Sequence, residues 1–232
     1  MSLCNHFAHA SRTRFGGWIK WRTKQRELEL FAAIKPDRAA RILEIGPGKG
    51  ELAELLRRAG YQHYRGAEPN QAMRTELNQR GFSVVDYQIP ALQEPDQSAD
   101  AIILCDVFEH LNGAHDAARF IQEAQRVLSP QGVLCIACPD YLHWKEDFYN
   151  CDYTHNNLTT VRRVQQQLYG AGFEDLGYTY FSAHLTGMSA SLLSWVARIG
   201  LAFAGSNGNN MKFYKAKLTM LRRFWIAGRQ PI

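Results

Sequence analysis

The chain of 232 residues predicts an α/β fold built on one doubly wound, mostly parallel seven-stranded sheet with helices on both faces. Three observations carry this expectation. From residue 41 to 181 short apolar runs alternate with amphipathic ones, the pattern of β-α units on a parallel sheet. The first run opens into a turn with three alternate glycines, Gly46, Gly48 and Gly50, and leads into apolar residues at helical spacing. At 46% hydrophobic and 21% charged, the chain has the composition of one globular domain with a sizeable core. That composition excludes a disordered chain, a collagen-like repeat and a small disulfide scaffold.

The elements follow in order. Residues 8–34 read as a leading helix that caps the ligand-binding edge of the sheet. Strands are expected at 41–45, 64–68, 82–86, 99–105 and 132–138. Between them Leu52, Leu55 and Leu56, then Met73 and Leu77, then Phe120, Ile121, Ala124, Val127 and Leu128 keep the spacing of helices that pack on a sheet. Leu158 to Tyr169 reads as a further helix stopped by Gly170 and Gly172, Phe173 to Phe181 as a sixth strand and Phe224–Ala227 as a seventh. No internal repeat and no Pro/Ser-rich linker divides the chain. One domain is expected, with an N-terminal cap region (1–38), a ligand-binding core (39–182), a helical insertion (183–211) and a basic C-terminal segment carrying the last strand (212–232).

The stretch from Leu185 to Ala204 is the one candidate for a membrane span, and three serines, two glycines and Arg198 make it a poor one. Its Leu192, Leu193, Trp195, Val196, Ile199 and Phe203 suit a packed or interfacial helix, closed by the loop Gly205–Asn210.

Charge is distributed unevenly. There are 27 Lys+Arg and 22 Asp+Glu, a formal +5, yet all the acids lie between Glu27 and Asp175, where only 14 basic residues fall and the net charge is −8. The basic excess sits at acid-free ends. Arg12, Arg14, Lys20, Arg22, Lys24 and Arg26 lie among Phe15, Trp18 and Trp21; Arg198, Lys212, Lys215, Lys217, Arg222, Arg223 and Arg229 lie among Phe213, Tyr214, Phe224 and Trp225. These ends read either as solvated termini or as a basic aromatic face attracted to phosphate groups, in an anionic membrane or on a lipid-linked substrate.

Five cysteines, an odd count, with Cys105, Cys135 and Cys138 inside apolar runs, argue for a reducing compartment. Cys135 and Cys138 form a C-x-x-C on an expected buried strand, where residues three apart face opposite ways and would neither pair nor chelate. The N-terminus has no apolar stretch of signal-peptide length, so a cytoplasmic protein is expected.

In an open α/β sheet a ligand binds beyond the carboxyl ends of the strands. The first such junction, Ile42-Leu43-Glu44-Ile45-Gly46-Pro47-Gly48-Lys49-Gly50-Glu51, is a strand, a turn that lets a ligand approach the main chain, and a helix. Glu51 stands where a dinucleotide motif wants a small residue, and its charge would repel a pyrophosphate; the G-K-[ST] ending of a P-loop is absent. A ligand without phosphate remains.

At this point the chain resembles the class I S-adenosylmethionine-dependent methyltransferases, with their Rossmann-like fold and their hydrophobic-Leu-Glu-hydrophobic-Gly-x-Gly-x-Gly motif. The resemblance covers roughly residues 40 to 180. It implies S-adenosylmethionine as cofactor, with Glu44, Gly46, Gly48 and Gly50 in the cofactor-binding turn. It implies that Glu68, 18 residues after Gly50, accepts hydrogen bonds from both ribose hydroxyls, where alone it reads as a helix cap. Asp86 then meets the adenine amino group, with Tyr87 and Ile89 flanking the ring, or else forms a turn. The fourth junction, Asp106-Val107-Phe108-Glu109-His110, lines the methionine end and the entrance to the acceptor.

The segment Asp152-Tyr153-Thr154-His155 before a helix that ends in Ala171-Gly172-Phe173 resembles bacterial methyltransferases of glycan and lipid-linked sugar pathways, the type 11/12-like group. His155 and His110 are the candidate general bases for an acceptor hydroxyl. The alternative is that Asp152 and His155 brace their loop, with a helix cap near Thr159, and that His110 packs. A metal site of Asp152 with the two histidines is disfavoured, and no metal is expected.

The reading is therefore an O-methyltransferase for a sugar or lipid-linked glycan acceptor at the cytoplasmic membrane face, with peripheral contact to anionic lipid. A quinone or other lipid-like small molecule is the alternative acceptor. A non-catalytic or nucleic-acid-binding module is a third reading, disfavoured because the middle, ligand-binding stretch is acidic and the Asn/Asp-Pro-Pro-Tyr/Phe motif of base-modifying enzymes is absent from the fourth junction.

Overall fold

The computed structural model describes residues 14–200 and 211–232, with side chains over 17–199 and 214–232. Arg12, Phe203 and the loop 205–210 lie outside the described residues, as do the side chains of Arg14, Phe15, Lys212 and Phe213. A long helix, α1 (Arg14–Ile34), leads into β1 (Arg41–Ile45), α2 (Glu51–Arg58), β2 (His63–Ala67), α3 (Gln71–Gln79), β3 (Val84–Val85) and β4 (Ala99–Cys105). A 3-10 turn at Phe108–His110 precedes α4 (Gly113–Val127) and β5 (Leu128–Pro139). Then come the single-turn helices α5 (Tyr141–Trp144) and α6 (Asp147–Asn150), followed by α7 (Val161–Gly170), β6 (Glu174–Ser182), β7 (Leu185–Thr186), α8 (Gly187–Gly200), α9 (Met211–Met220) and β8 (Arg223–Arg229).

All strands join one sheet in the order β3-β2-β1-β4-β5-β8-β6-β7. The first five pair in parallel, and β8, β6 and β7 add antiparallel pairings at one side. The count is eight rather than seven because the two-residue β7 folds back on β6 through Phe181–Thr186 and Ser182–Leu185. A two-residue strand carries too little pattern to be read from sequence. Helix α9 also went unread: its Met211, Lys212, Phe213, Tyr214 and Lys215 have no amphipathic period, and its place comes from packing on α1 and α8.

Alternation along the central strands builds a core on each face. Ile42, Ala101, Ile103, Val133, Cys135, Trp225 and Ala227 meet Phe31 of α1 and Leu52 and Leu56 of α2. Leu43, Ile102, Leu104, Leu134, Ile136, Cys138, Phe224 and Ile226 meet Phe120, Ile121, Ala124 and Val127 of α4 and Val164 and Leu168 of α7. Cys135 and Cys138 thus lie on opposite faces, as their spacing requires. Cys105, Cys135, Cys138 and Cys151 are all free thiols.

The amino ends of three adjacent strands are pinned together at the edge opposite the site. Asp100 on β4 accepts hydrogen bonds from the Arg41 backbone N–H (2.9 Å), from Nε and Nη2 of the same residue (3.0 and 2.8 Å) and from Ser129 Oγ (2.8 Å). The Arg41 guanidinium leads in holding the Asp100 carboxyl well below the ordinary range, against partial burial. A carboxyl depressed in the folded state contributes stability above the unfolded pKa of about 4 and loses it as pH falls toward the folded value. Asp100→Asn should therefore cost about 1–2 kcal/mol at pH 7, discounted because Arg41 is half-exposed. The gap from wild type should narrow below about pH 4. Urea denaturation at pH 7 and pH 3.5 measures it; a gap that does not narrow would refute the assignment.

Candidate active site

The chain leaves β1 toward β2 and β3, then returns to place β4 on the other side of β1. This reversal opens a crevice at the carboxyl ends of β1 and β4, and a cavity of about 360 Å³ occupies it. The glycine turn forms its floor, Glu68 and the residues after β3 line one end, and the 3-10 turn after β4 lines the other. Lys20 and Lys24 of α1 close it from above.

Gly46, Gly48 and Gly50 all have positive φ, between 57° and 75°. A Cβ on Gly46 would lie 2.5 Å from Val107 Cγ2, and one on Gly50 2.3 Å from Leu77 Cδ2, so those two are glycines for the protein's own packing. A Cβ on Gly48 would meet no described atom within 4 Å. Gly48 is the position where bare backbone faces space that a ligand can enter.

Glu68, buried at the end of β2, accepts hydrogen bonds from the Gly48 N–H (3.0 Å, Oε2) and the Asn70 N–H (2.9 Å, Oε1). Burial raises its carboxyl despite those two donors. A carboxylate has about four acceptor sites, so two engaged with backbone leave room for further donors. Glu44 also lines the cavity. Burial pushes its carboxyl up to about 7, against the Tyr64 hydroxyl that donates to it at 2.7 Å.

Asp86 is placed differently from the adenine contact expected of it. Its side chain, 63% exposed, pairs with Arg74 Nη2 at 2.8 Å, and Tyr87, Gln88 and Ile89 line the cavity instead. The arginine on α3 draws Asp86 outward.

Asp106 lies on the opposite wall with a positive φ of 61°. Arg223 Nη1 of β8 donates to both carboxylate oxygens at 2.6 and 2.7 Å, and Lys24 Nζ stands 3.7 Å away while pairing with Glu27 at 2.8 Å. Burial alone would raise Asp106, but the attraction of Arg223 and Lys24 holds it below the ordinary carboxylate range. Asp106 therefore organises this wall chiefly by joining α1 and β8 to it.

His110 lines the cavity, and His155 lies one layer behind it, with ring centroids 4.8 Å apart. Thr154 Oγ1 donates its single proton to Asp152 Oδ1 (2.6 Å), so at the 2.7 Å contact with His110 it must accept from Nδ1–H. Neutral His110 then carries its basic lone pair on Nε2. His155 Nδ1 donates to the Phe148 carbonyl at 2.6 Å, which places its lone pair on Nε2 as well. Burial and the neighbouring His155 push His110 down to about 4; burial likewise lowers His155. Glu109 beside them is 1% exposed, and burial with the nearby Asp106 pushes it up to about 8.

Asn157 ties this layer together: its Nδ2 donates to the Phe108 carbonyl (3.1 Å) and its N–H to the Glu109 carbonyl (3.0 Å). Asn157, Thr154, Lys24 and Arg223 were not legible as site residues. Asn157 stands beside the Asp152/His155 motif and Thr154 within it, and the last two belong to basic runs whose partners are distant in sequence. The helix cap lies at Thr160, which accepts from the Arg163 N–H (3.3 Å), while buried Thr159 donates to the Pro139 carbonyl (2.7 Å).

These contacts define two variants to titrate with S-adenosylmethionine, the ligand that the sequence resemblance implies. Glu68→Ala should weaken binding by about 1–3 kcal/mol through lost hydrogen bonds to a charged acceptor; unchanged affinity by calorimetry would show that Glu68 does not touch the ligand. Gly48→Val should lower affinity at least about 100-fold, while stability falls only by the roughly 1–2 kcal/mol of a left-handed non-glycine residue. Retained affinity would contradict the approach of ligand to this backbone.

A family model described as a methyltransferase domain matches residues 14–178. No curated protein matches the sequence significantly. Among solved structures, an S-adenosylmethionine-dependent methyltransferase from Thermotoga maritima superposes with a TM-score of 0.65 at 17% identity, covering 98% of this chain and 98% of that one. One from Archaeoglobus fulgidus gives 0.64 at 18%, covering 89% and 92%. Another from Mesorhizobium loti gives 0.64 at 15%, covering 88% and 97%. At these identities the likeness is one of fold. With the family match spanning most of the chain, the protein belongs to the class I S-adenosylmethionine-dependent methyltransferases.

Proposed function

We propose that the enzyme methylates a hydroxyl oxygen of a sugar or lipid-linked glycan precursor at the cytoplasmic face of a membrane. The observation that carries this reading is His110 on the cavity wall, oriented by Thr154 and Asp152 so that Nε2 is its basic nitrogen. Bound S-adenosylmethionine supplies an electrophilic methyl group on a sulfonium centre. Glu68 would hold the ribose hydroxyls, the backbone at Gly48 would stand beside the ligand, and Glu44 and Asp106 would line its other end. Tyr87 and Ile89 take the place of Asp86 beside the adenine. The chain's remaining task is to align the acceptor oxygen with the methyl group and receive its proton, which His110 does with His155 and Glu109 behind it.

Two features support a lipid-linked acceptor. Helix α8 buries its small residues Ala190, Ser194 and Ala197 and turns Met188, Leu192, Trp195, Val196 and Ile199 outward, each between 52% and 91% exposed. No described helix is long and apolar enough to cross a membrane, so this outward stripe suits an interfacial helix. Exposed Tyr149, just before the Asp152/His155 loop, is the kind of amphipathic ring that packs on a sugar. The same apolar stripe also suits the second reading, a quinone or other lipid-like small molecule.

Purified enzyme should be tested with polyprenyl-linked glycans, free glycosides and quinol precursors. Methylation of the first class and not the last supports the proposal; the reverse outcome selects the second reading. His110→Ala should lower kcat by about 10²–10⁴-fold while S-adenosylmethionine affinity stays within about threefold; unaltered turnover would remove His110 from the reaction. The double variant Leu192→Ser, Trp195→Ser should lose sedimentation with anionic liposomes, and equal sedimentation would discard the membrane contact.

A further inference from the structure

Glu109, His110 and His155 form a cluster whose ligand-type atoms, one from each residue, all lie within 4.8 Å of one another. The cluster has the chemistry of a metal site before any ion is considered. His155 Nδ1 meets the Phe148 carbonyl, and His110 Nδ1 meets the Thr154 hydroxyl that is itself held by Asp152. Contacts of this kind fix the orientation of a metal-ligating imidazole. Glu109 supplies the second observation. It is 1% exposed, and its buried Oε2 accepts no hydrogen bond from any described group. A buried carboxyl oxygen without a hydrogen-bond partner is costly, and a cation that displaces the carboxyl proton and is shared with two imidazoles is one arrangement that satisfies it. The neighbouring cations are committed elsewhere, Arg223 and Lys24 to Asp106 and Glu27.

We propose that Glu109, His110 and His155 bind one divalent transition-metal ion of the class that takes two imidazoles and a carboxylate, such as Zn²⁺, Mn²⁺ or Fe²⁺. Ligand atoms about 2.1 Å from a shared ion stand roughly 3–3.5 Å apart, so a cluster spanning up to 4.8 Å closes by roughly 1.5 Å to bind it. The cavity that His110 lines provides the path of entry. The site stands at the end of the cavity where the preceding section seats the acceptor hydroxyl, and an ion there would hold and acidify that hydroxyl in place of a bare imidazole. That consequence rests on the proposed acceptor position; the binding of the ion does not. Sequence spacing does not announce the set, because His155 follows His110 by 45 residues.

The test is metal binding by tag-free full-length protein. After stripping with chelator and gel filtration, the protein is titrated with Zn²⁺, Mn²⁺ and Co²⁺, with stoichiometry read by elemental analysis and coordination read from the visible spectrum of the Co²⁺ form. One equivalent bound at micromolar or tighter Kd is expected, with affinity falling at least about 100-fold in Glu109→Gln and in His155→Ala. No stoichiometric binding by folded wild type, or undiminished binding in both variants, overturns the proposal. Circular dichroism and S-adenosylmethionine titration on the same samples show whether fold and cofactor site are intact, so a failure of the metal site is separable from a failure of the enzyme assignment.

Discussion

The arrangement of this protein depends on one partly buried carboxylate. Asp106 ends β4 at the crevice, and Arg223 from the last strand and Lys24 from the first helix converge on it. Any of the three charges, buried alone, would carry a heavy desolvation cost; together they are compensated. Because the partners come from the two ends of the chain, the contact also closes the fold: α1 is held over the cavity, and β8 is registered so that Arg223 faces the fourth junction while Phe224 and Trp225 enter opposite cores.

The same logic accounts for the uneven charge distribution. Much of the basic C-terminal excess is directed inward, with Lys217 on Asp147, Arg222 on Asp140 and Arg223 on Asp106. Arg26 donates to the His184 carbonyl. Among the described residues, part of the basic excess at the ends is thus set against acids of the middle stretch, while α8 turns its large apolar side chains outward.

The two ends of the cavity are built by different physics. At the Glu68 end the ligand surface is backbone: a left-handed turn, anchored by a carboxylate on the Gly48 N–H, which costs the protein little to keep open. At the His110 end it is a layer of titratable side chains held in place by Asn157, Thr154 and Asp152. The first end can be written in a short local motif. The second is a tertiary assembly of the 3-10 turn after β4 and the loop that follows α6.

The sequence by itself determined the sheet, the two cores and the glycine turn, because each rests on local periodicity: alternation in β1, β4 and β5, helical spacing in α2, α4 and α7, and a turn whose backbone only glycine adopts readily. It also placed Glu68 and His110 in the junctions that follow β2 and β4, and both line the cavity. Tertiary structure alone decided that Asp86 turns out to Arg74, that His155 stands behind His110 rather than on the wall, that β7 and α9 exist, and that α8 turns its large apolar residues outward. Each of those depends on which partner a side chain finds across the fold, an outcome set by distances between residues far apart in sequence and carried by no local pattern.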